Sequence, residues 1–168
     1  MPILQRPRPI TLRIELLDVV PLVWRRVLVS NQWTLASLHG YLQWVMGWTD
    51  SHAHEFEVGE GVIAPEWWIE EVGMDSDVTH FRDERRVSVA AVLSELGANG
   101  EFEYHYDMGD SWKHRLMFEP LSPAWKDADL THEQHGDMVR WIGGVFDPKG
   151  FDLNRLNRDY RTSKRRRR

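Results

Sequence analysis

The stretch FEYHYDMGDSWKHRLMFE, residues 102–119, contains two runs in which side chains alternate between two types. Aromatic residues stand at positions 102, 104 and 106, and the even positions from 112 to 118 carry Trp, His, Leu and Phe. An alternation of period two is typical of a strand with one buried face. The string MGDS between the runs favours a tight turn, so the stretch predicts an antiparallel hairpin.

A second hairpin is predicted near the N-terminus. Between Ile10 and Val20 apolar residues alternate with Arg13 and Glu15, which indicates a half-buried strand interrupted at Pro21. The segment Val23–Val29 resumes strand-like composition with three valines. We therefore expect these two segments to pair in antiparallel fashion.

Two helices and a third strand are predicted between the hairpins. Thr34 is an N-cap type of residue, and the apolar residues after it recur at helical spacing until Gly47. Ser88 begins a shorter helix that Gly97 stops, and His54–Val58 has the alternation of a strand. The intervening stretch 63–86 mixes charges with Trp and predicts a long excursion with weak strand character, while a short helix is expected within residues 146–160.

These elements predict an α+β fold with a mixed, mostly antiparallel sheet and helices packed on one face, because strands and helices do not alternate strictly. A length of 168 residues favours a single domain, which we place at residues 1–160. The remaining residues, RTSKRRRR at 161–168, predict a basic, disordered tail.

Composition excludes several classes of function. The chain has no cysteine, which rules out disulfides, thiolate metal sites and cysteine nucleophiles and fits a reducing compartment. No window approaches the length of apolar sequence that crosses a membrane, so we expect a cytoplasmic protein without membrane contact. Residues 1–160 carry a formal charge of −11, because the tail contributes six positive charges to the total of −5. An acidic body repels phosphate backbones, so nucleic-acid binding is expected only locally.

A polar cluster is predicted around two turns. His52 and His54 are spaced i, i+2, so a strand would present both imidazoles on one face. Asp107, Asp110 and His114 flank the later turn and offer oxygen and nitrogen atoms. If the two segments converge, His52, His54, Asp110 and His114 are candidate ligands of a divalent metal ion such as Zn²⁺, and the cluster is a candidate site for a metal-dependent enzyme.

Ordinary structural roles compete with that interpretation. His and Asp beside Ser, Thr and Gly commonly satisfy backbone donors in turns. Asp107 as an Asx-type turn residue, with Gly109 supplying positive φ, explains the string YDMGD without the catalytic carboxylate pair that Asp107 and Asp110 would otherwise form. Trp112 shares a strand face with His114 and favours packing in the core over stacking on a ligand.

A small nucleic-acid footprint is a further hypothesis. Trp24, Arg25 and Arg26 combine cations with an indole, and Arg25 and Arg26 point to opposite faces of the predicted strand. We favour instead the pairing of one of these arginines with an acidic neighbour such as Glu15. The remaining basic candidates are the tail residues Lys164, Arg165, Arg166, Arg167 and Arg168.

Three segments resemble the plasmid pRiA4b ORF-3-like family. The first is PLVWRRVLV followed by TLASLHGYLQWVMGWTDSHAHEFEV, the second is FEYHYDMGDSWKHRLMFE and the third is FDPKGFDLNRLN. They follow the family's order along the chain. The chain departs from the family between the second and third segments, where it lacks a cysteine-containing stretch that ends in a PPEDxGG-like loop.

The resemblance implies an α+β fold with a mixed, curved sheet and a family of unassigned biochemistry. Some members look like passengers of mobile elements, which implies a plasmid or transposition-associated setting. The sequence contains no nucleophile elbow, phosphate-binding loop, dinucleotide fingerprint or HExxH helix. We therefore expect a binding or accessory module associated with mobile DNA or with a protein partner, acting through the Ser51–Phe56 and Asp107–His114 segments. The alternatives are a metal-dependent enzyme and a weak nucleic-acid binder that uses the tail.

Overall fold

The computed structural model describes residues 8–72 and 80–121. The predicted closing helix within 146–160 and the basic tail at 161–168 lie outside the described residues. Among the residues described, no helix is both long enough and apolar enough to cross a membrane.

A seven-stranded sheet with three helices forms the described part of the chain, in agreement with the predicted α+β class. Its strand order is β2-β1-β7-β6-β3-β4-β5, and the β4–β5 pair is parallel in an otherwise antiparallel sheet. In chain order the elements are β1 (Pro9–Leu16), β2 (Val23–Ser30), α1 (Leu35–Met46), β3 (His54–Val58), β4 (Gly61–Ala64), α2 (Glu66–Val72), β5 (Phe81–Asp83), α3 (Val89–Leu96), β6 (Glu101–Tyr106) and β7 (Trp112–Glu119).

Both predicted hairpins are present. In the N-terminal one, Leu12 lies opposite Val27, and β1 ends at Leu16 rather than near Val20 because Asp18 turns the chain with a φ of 61°. In the later one, Tyr104 lies opposite His114. The alternation that predicted the strands therefore also gives the sheet one apolar face.

The two predicted helices cover that apolar face, here called the inner face. Thr34 caps α1 by accepting a hydrogen bond from the Ser37 N–H at 3.2 Å, and Gly47 ends it in the left-handed region with a φ of 78°. Ser88 caps α3 in the same way. Apolar residues of α1 and α3 share one core with the sheet, including Leu38, Leu42, Val92, Ile14, Phe56 and Leu116.

The stretch expected to be a weakly structured excursion, 63–86, contains more structure than its composition indicated. β4 continues beyond Ile63, α2 follows at Glu66–Val72, and β5 returns parallel to β4. β5 is only three residues long, too short for a periodic pattern to identify it. Its return places Glu84 beside the start of β3, which is the origin of the site described next.

Candidate functional site

A cleft of about 450 Å³ opens where the loop from α1 reaches β3. Its walls come from α1, from that loop, from the start of α2 and from the turn after β5. Because these segments are far apart in the sequence, the cleft exists only once the sheet has formed. The side chains that matter most for its chemistry are His39, Asp50, His52, His54, Trp67 and Glu84.

Two histidines form the inner wall of the cleft. The rings of His39 and His54 stack with centroids 3.4 Å apart and planes 5° from parallel. His39 Nε2 lies 2.7 Å from Asp50 Oδ1. His54 Nε2 lies 2.7 Å from Glu84 Oε2. An ionised carboxylate only accepts hydrogen bonds, so each imidazole donates from Nε2 to its own carboxylate.

The protonation of His39 is set by two buried partners on its other side. Gln43 Nε2 donates to the Tyr104 hydroxyl at 2.8 Å, and that hydroxyl lies 2.9 Å from His39 Nδ1. Tyr104 therefore donates to Nδ1, and the ring proton of His39 sits on Nε2, facing Asp50. Burial lowers the pKa of His39 and raises the pKa of Tyr104 well above its usual value. Burial thus favours a neutral His39 and a protonated Tyr104 hydroxyl, which are the forms that the hydrogen bonds among Gln43, Tyr104, His39 and Asp50 require.

Local sequence holds Asp50 in place. Gly47 ends α1, and the backbone N–H of Trp48 donates to the Gln43 carbonyl at 2.8 Å. Asp50 then adopts a φ of 57°, and its backbone N–H donates to Gln43 Oε1 at 2.8 Å. Aspartate tolerates the left-handed region better than most residues do. The Gln43 side chain consequently bonds both Tyr104 and Asp50, and it ties the two sides of the cleft together.

The structure brings part of the predicted cluster together. His52 Nε2 lies 3.3 Å from Asp107 Oδ2, and the Asp107 N–H donates to the Ala53 carbonyl at 2.9 Å. The Ser51 N–H also donates to the Tyr106 hydroxyl at 3.0 Å. These contacts arise because β3 pairs with β6. The two turn-flanking segments therefore meet, and His52 and His54 line the cleft.

The turn after β6 has the Asx-type geometry predicted at Asp107. Its Oδ1 accepts hydrogen bonds from the Gly109 and Asp110 N–H groups at 3.1 and 3.2 Å. The expectation of positive φ at Gly109 is wrong, since the left-handed residues are Asp107 and Ser111, with φ of 59° and 56°. The Ser111 N–H closes the turn on the Asp107 carbonyl. Asp110 lies in this turn with an exposed side chain.

His114 and Trp112 lie beside the cleft, within the aromatic core. His114 is fully buried, its Nδ1 donates to the Tyr104 carbonyl at 3.2 Å, and its Nε2 has no hydrogen-bond partner. Burial lowers the pKa of His114 from 6.5 to about 4. Trp112 packs against Trp48, with ring centroids 5.3 Å apart. His114 and Trp112 therefore do not line the cleft.

The four predicted metal ligands do not form a coordination set. Among the described residues, the group of three or more His, Asp or Glu ligand atoms within 4.8 Å of one another is Glu55, Glu57 and His105. His52, His54, Asp110 and His114 are not gathered in this way, because His114 is buried against Tyr104 and Asp110 stays in its turn. The predicted metal-dependent enzyme therefore receives no support from these four side chains.

The group around His105 lies on the opposite face of the sheet, here called the outer face. His105 Nδ1 lies 3.7 Å from Glu55 and 3.5 Å from Glu57, and its Nε2 lies 3.0 Å from Glu103. The interaction with the nearby Glu55 carboxylate raises the pKa of His105, and the same interaction lowers the pKa of Glu55. The carboxylates around His105 thus favour its charged form, whereas burial favours the neutral form of His39.

Arg25 and Arg26 point to opposite faces of β2, as expected from their adjacency. Arg26 binds Glu119 with two hydrogen bonds, of 2.5 and 3.2 Å. Arg25 is half-buried beside the core-facing residue Ile14 and donates to the Trp24 carbonyl. The predicted pairing of one arginine with an acidic neighbour is present, but the neighbour is Glu119. Glu15 instead contacts Arg13 at 2.6 Å.

Sequence reasoning missed most of the cleft. His39, Gln43 and Tyr104 sit at core-facing positions, where periodicity predicts packing and gives no sign of a polar role. A usable signal existed for His39, because it lies within the string TLASLHGYLQWVMGW that carries the family resemblance. Glu84 stands among mixed charges, and nothing in its own neighbourhood indicates that it pairs with His54.

Fold and site together define an α+β protein in which an open, mixed sheet carries a histidine–carboxylate cleft at one end. The chain belongs to the plasmid pRiA4b ORF-3-like protein family, whose sequence profile matches residues 8–130. It is 31% identical over 183 residues to the uncharacterized protein y4hQ of Sinorhizobium fredii (strain NBRC 101917 / NGR234), covering 89% of each chain.

A solved structure has the same fold. It is the crystal structure of a protein of unknown function from Methanosarcina mazei Go1, which is 24% identical to this chain with a TM-score of 0.55. The match covers 87% of this chain and 94% of the other. At this identity the similarity supports the fold alone.

Proposed function

We propose that this protein is a binding module whose histidine–carboxylate cleft receives a small polar group from a ligand or a partner molecule. The observation that carries the proposal is the stacked His39–His54 pair, in which each ring is oriented by its own carboxylate at the wall of an open cleft. A concave site with a few convergent polar groups is the usual form of a small-ligand site.

Binding is favoured over catalysis by the way the polar groups are used. Both ring nitrogens of His39 already take part in hydrogen bonds, to Tyr104 and Asp50. A general base needs a nitrogen that can reach the proton of a substrate or nucleophile. Ser51, the hydroxyl that lines the cleft, contacts Tyr106 and Thr49. The His39 ring therefore serves to orient the Asp50 carboxylate, which is a recognition role.

The remaining expectations about function stay proposals with weaker support. An accessory role near mobile DNA rests on the family resemblance. Nucleic-acid binding through Lys164–Arg168 concerns residues outside the described part of the chain. Of the two other candidates, Arg26 is engaged by Glu119, and Arg25 is half-buried and donates to the Trp24 carbonyl. Neither alternative draws on a feature of the cleft.

Amide-resolved NMR on the full-length, ¹⁵N-labelled chain tests the proposal. The probes are small compounds with a short alkyl chain and different head groups: n-butylguanidinium, n-butylammonium, butyrate and n-butanol. We expect at least one probe to shift the amides of Asp50, Ser51, Ala53 and Glu84 in a saturable manner. Compounds this small bind weakly, with dissociation constants on the order of 10 mM.

A cleft-filling variant supplies the control. Ala53 lines the cleft, so Ala53→Phe fills part of it and is expected to abolish the shifts. Ala90→Phe makes the same change at a half-buried alanine of α3 that does not line the cleft, and its shifts are expected to persist. The proposal is wrong if none of the four probes moves the cleft amides, or if Ala53→Phe leaves the shifts unchanged.

A further inference from the structure

The cleft carries an excess of negative charge. Asp50 and Glu84 contribute two carboxylates to its walls. The Asp50 side chain is 44% exposed and faces solvent in part, whereas that of Glu84 is 9% exposed. His39 does not compensate for this charge, because its burial favours the neutral ring. A group that enters the cleft therefore meets the carboxylate oxygens of Asp50 and Glu84 as hydrogen-bond acceptors.

The positive charge of Arg85, at the rim of the cleft, is paired outside the cleft. Arg85 lines the cleft with a side chain that is 62% exposed. Its guanidinium lies 3.7 Å from Asp83 and 3.9 Å from Glu66. Those two carboxylates do not line the cleft, and they share the charge of Arg85 at the surface.

An aromatic surface lines the same cleft as the two carboxylates. Trp67, on the first turn of α2, lines the cleft and is 53% exposed, which is high for so large an apolar side chain. Its neighbour Trp68 is held by a hydrogen bond from its Nε1 to Glu55 at 2.9 Å, so α2 is fixed to the sheet beside the cleft. An exposed indole next to carboxylates is a common environment for an organic cation, because its face attracts positive charge.

We infer that the group recognised by the cleft is a guanidinium, held between the Asp50 and Glu84 carboxylates and stacked on the Trp67 indole. This inference rests on the proposed binding function and names its ligand class. Guanidinium fits better than ammonium, because it is planar, weakly hydrated and able to stack while it donates several hydrogen bonds in its own plane. The group is either a free small molecule or an arginine side chain of a partner protein.

The same NMR titration on the full-length chain distinguishes the head groups. We expect n-butylguanidinium to bind about tenfold more tightly than n-butanol, with butyrate the weakest, since charge-assisted hydrogen bonds are about twice as strong as neutral ones. The peptide acetyl-Gly-Arg-Gly-amide separates the two sources. Tighter binding of the peptide than of n-butylguanidinium assigns the cleft to a protein partner, and weaker binding assigns it to a free molecule.

Three substitutions locate the contacts. Asp50→Asn and Glu84→Gln keep an oxygen that accepts from the histidine but remove the charge, and asparagine tolerates the φ of 57° at position 50. Each is expected to weaken n-butylguanidinium binding about tenfold. Trp67→Ala is expected to weaken it several-fold through the lost stacking. Glu103→Gln removes a carboxylate of similar exposure, 41%, on the outer face and is expected to have no effect.

Different outcomes would contradict guanidinium recognition and the binding function on which it rests. If n-butylammonium or butyrate binds the cleft as tightly as n-butylguanidinium, or if Asp50→Asn and Glu84→Gln both retain full affinity, the cleft binds ligands but the guanidinium assignment is wrong. If no probe of any charge shifts the cleft amides, the binding function itself fails. Trp24→Ala, at an exposed tryptophan of β2, controls for the loss of an indole elsewhere on the surface.

Discussion

Histidines on the two faces of the sheet have pKa values shifted in opposite directions. On the inner face of β6, Tyr104 contacts both His39 and His114, and burial lowers the pKa of each of these histidines. On the outer face, the next residue of β6 is His105, and its contact with Glu55 raises its pKa. Tyr104 and His105 are neighbours in β6 but face opposite sides of the sheet. The histidines that contact Tyr104 have lowered pKa values, whereas the pKa of His105 is raised.

The difference shows which physical effect dominates on each side. Desolvation penalises the charged imidazole wherever water is removed without a sufficient counter-charge, and nearby carboxylates favour it where they are close. His39 has a carboxylate partner in Asp50, yet desolvation is the larger effect there. At His105 the order is reversed, because Glu55, Glu57 and Glu103 surround one ring. The inner face thus favours the neutral form of His39 and His114, and the outer face favours the charged form of His105.

The largest expected effect comes from His114. Its pKa falls from 6.5 in the unfolded chain to about 4 in the fold, so the unfolded state binds more protons between these values. Stability contributed by the neutral ring is therefore complete above pH 6.5 and is lost as the pH falls toward 4. Urea unfolding at a series of pH values should show a loss of about 3 kcal/mol from this group by pH 4.

The variant His114→Phe isolates that contribution. Phenylalanine fills the buried position without a titrating group or the unpartnered Nε2. Between pH 6.5 and 4 the free energy of unfolding of the variant should depend less steeply on pH, by up to about 1.4 kcal/mol per pH unit. If wild type and variant have the same slope, the inner face does not hold His114 neutral and the contrast between the faces fails.

A smaller effect is expected from the hydroxyl of Tyr104, which completes the hydrogen-bond chain of the inner face. Tyr104→Phe leaves the buried Gln43 amide and His39 Nδ1 without their shared partner. Leaving buried polar groups unpaired costs about 2 kcal/mol, measured as the change in the free energy of unfolding. Tyr41→Phe is the matched control, because the Tyr41 hydroxyl is buried without a partner and its removal should cost nothing. Equal effects of the two substitutions would falsify the proposed role of the network.

The parts of the fold that follow from sequence are those with local causes. Alternation identified the two hairpins, and residue types at the ends identified α1 and α3, with Thr34 and Ser88 as caps and Gly47 in the left-handed region. In each case the signal and the structure lie within a few residues of each other. The segment from β4 to β5 gave no such signal, because β5 has three residues and its parallel partner is reached only through α2.

The same reasoning explains what was predicted of the site. His52, His54 and Asp107 were predicted from turn-flanking positions, and the pairing of β3 with β6 brings these segments together. His39 was missed because its role depends on a contact between α1 and the sheet. Glu84 was missed because it reaches His54 only through the return of β5. No pattern of period two or 3.6 records either contact. Those patterns distinguish an apolar face from a polar face. This site consists of polar groups on the apolar face, so the patterns do not indicate it.

The smallest expected effect is on the outer face. A raised pKa means that the ion pairs of His105 contribute stability below pH 6.5, and that this contribution is lost as the pH rises through the folded value. NMR titration of the histidine ring protons should place His105 above the usual value and His114 below it in one sample. Glu55→Gln should lower the pKa of His105 more than Glu103→Gln, and Glu57→Gln least, in the order of their contributions. The cost to stability should not exceed about 1 kcal/mol, because the carboxylates of Glu57 and Glu103 are partly exposed. A titration in which all three variants leave the pKa of His105 unchanged would mean that these carboxylates do not raise it, and the two faces would then differ only in burial.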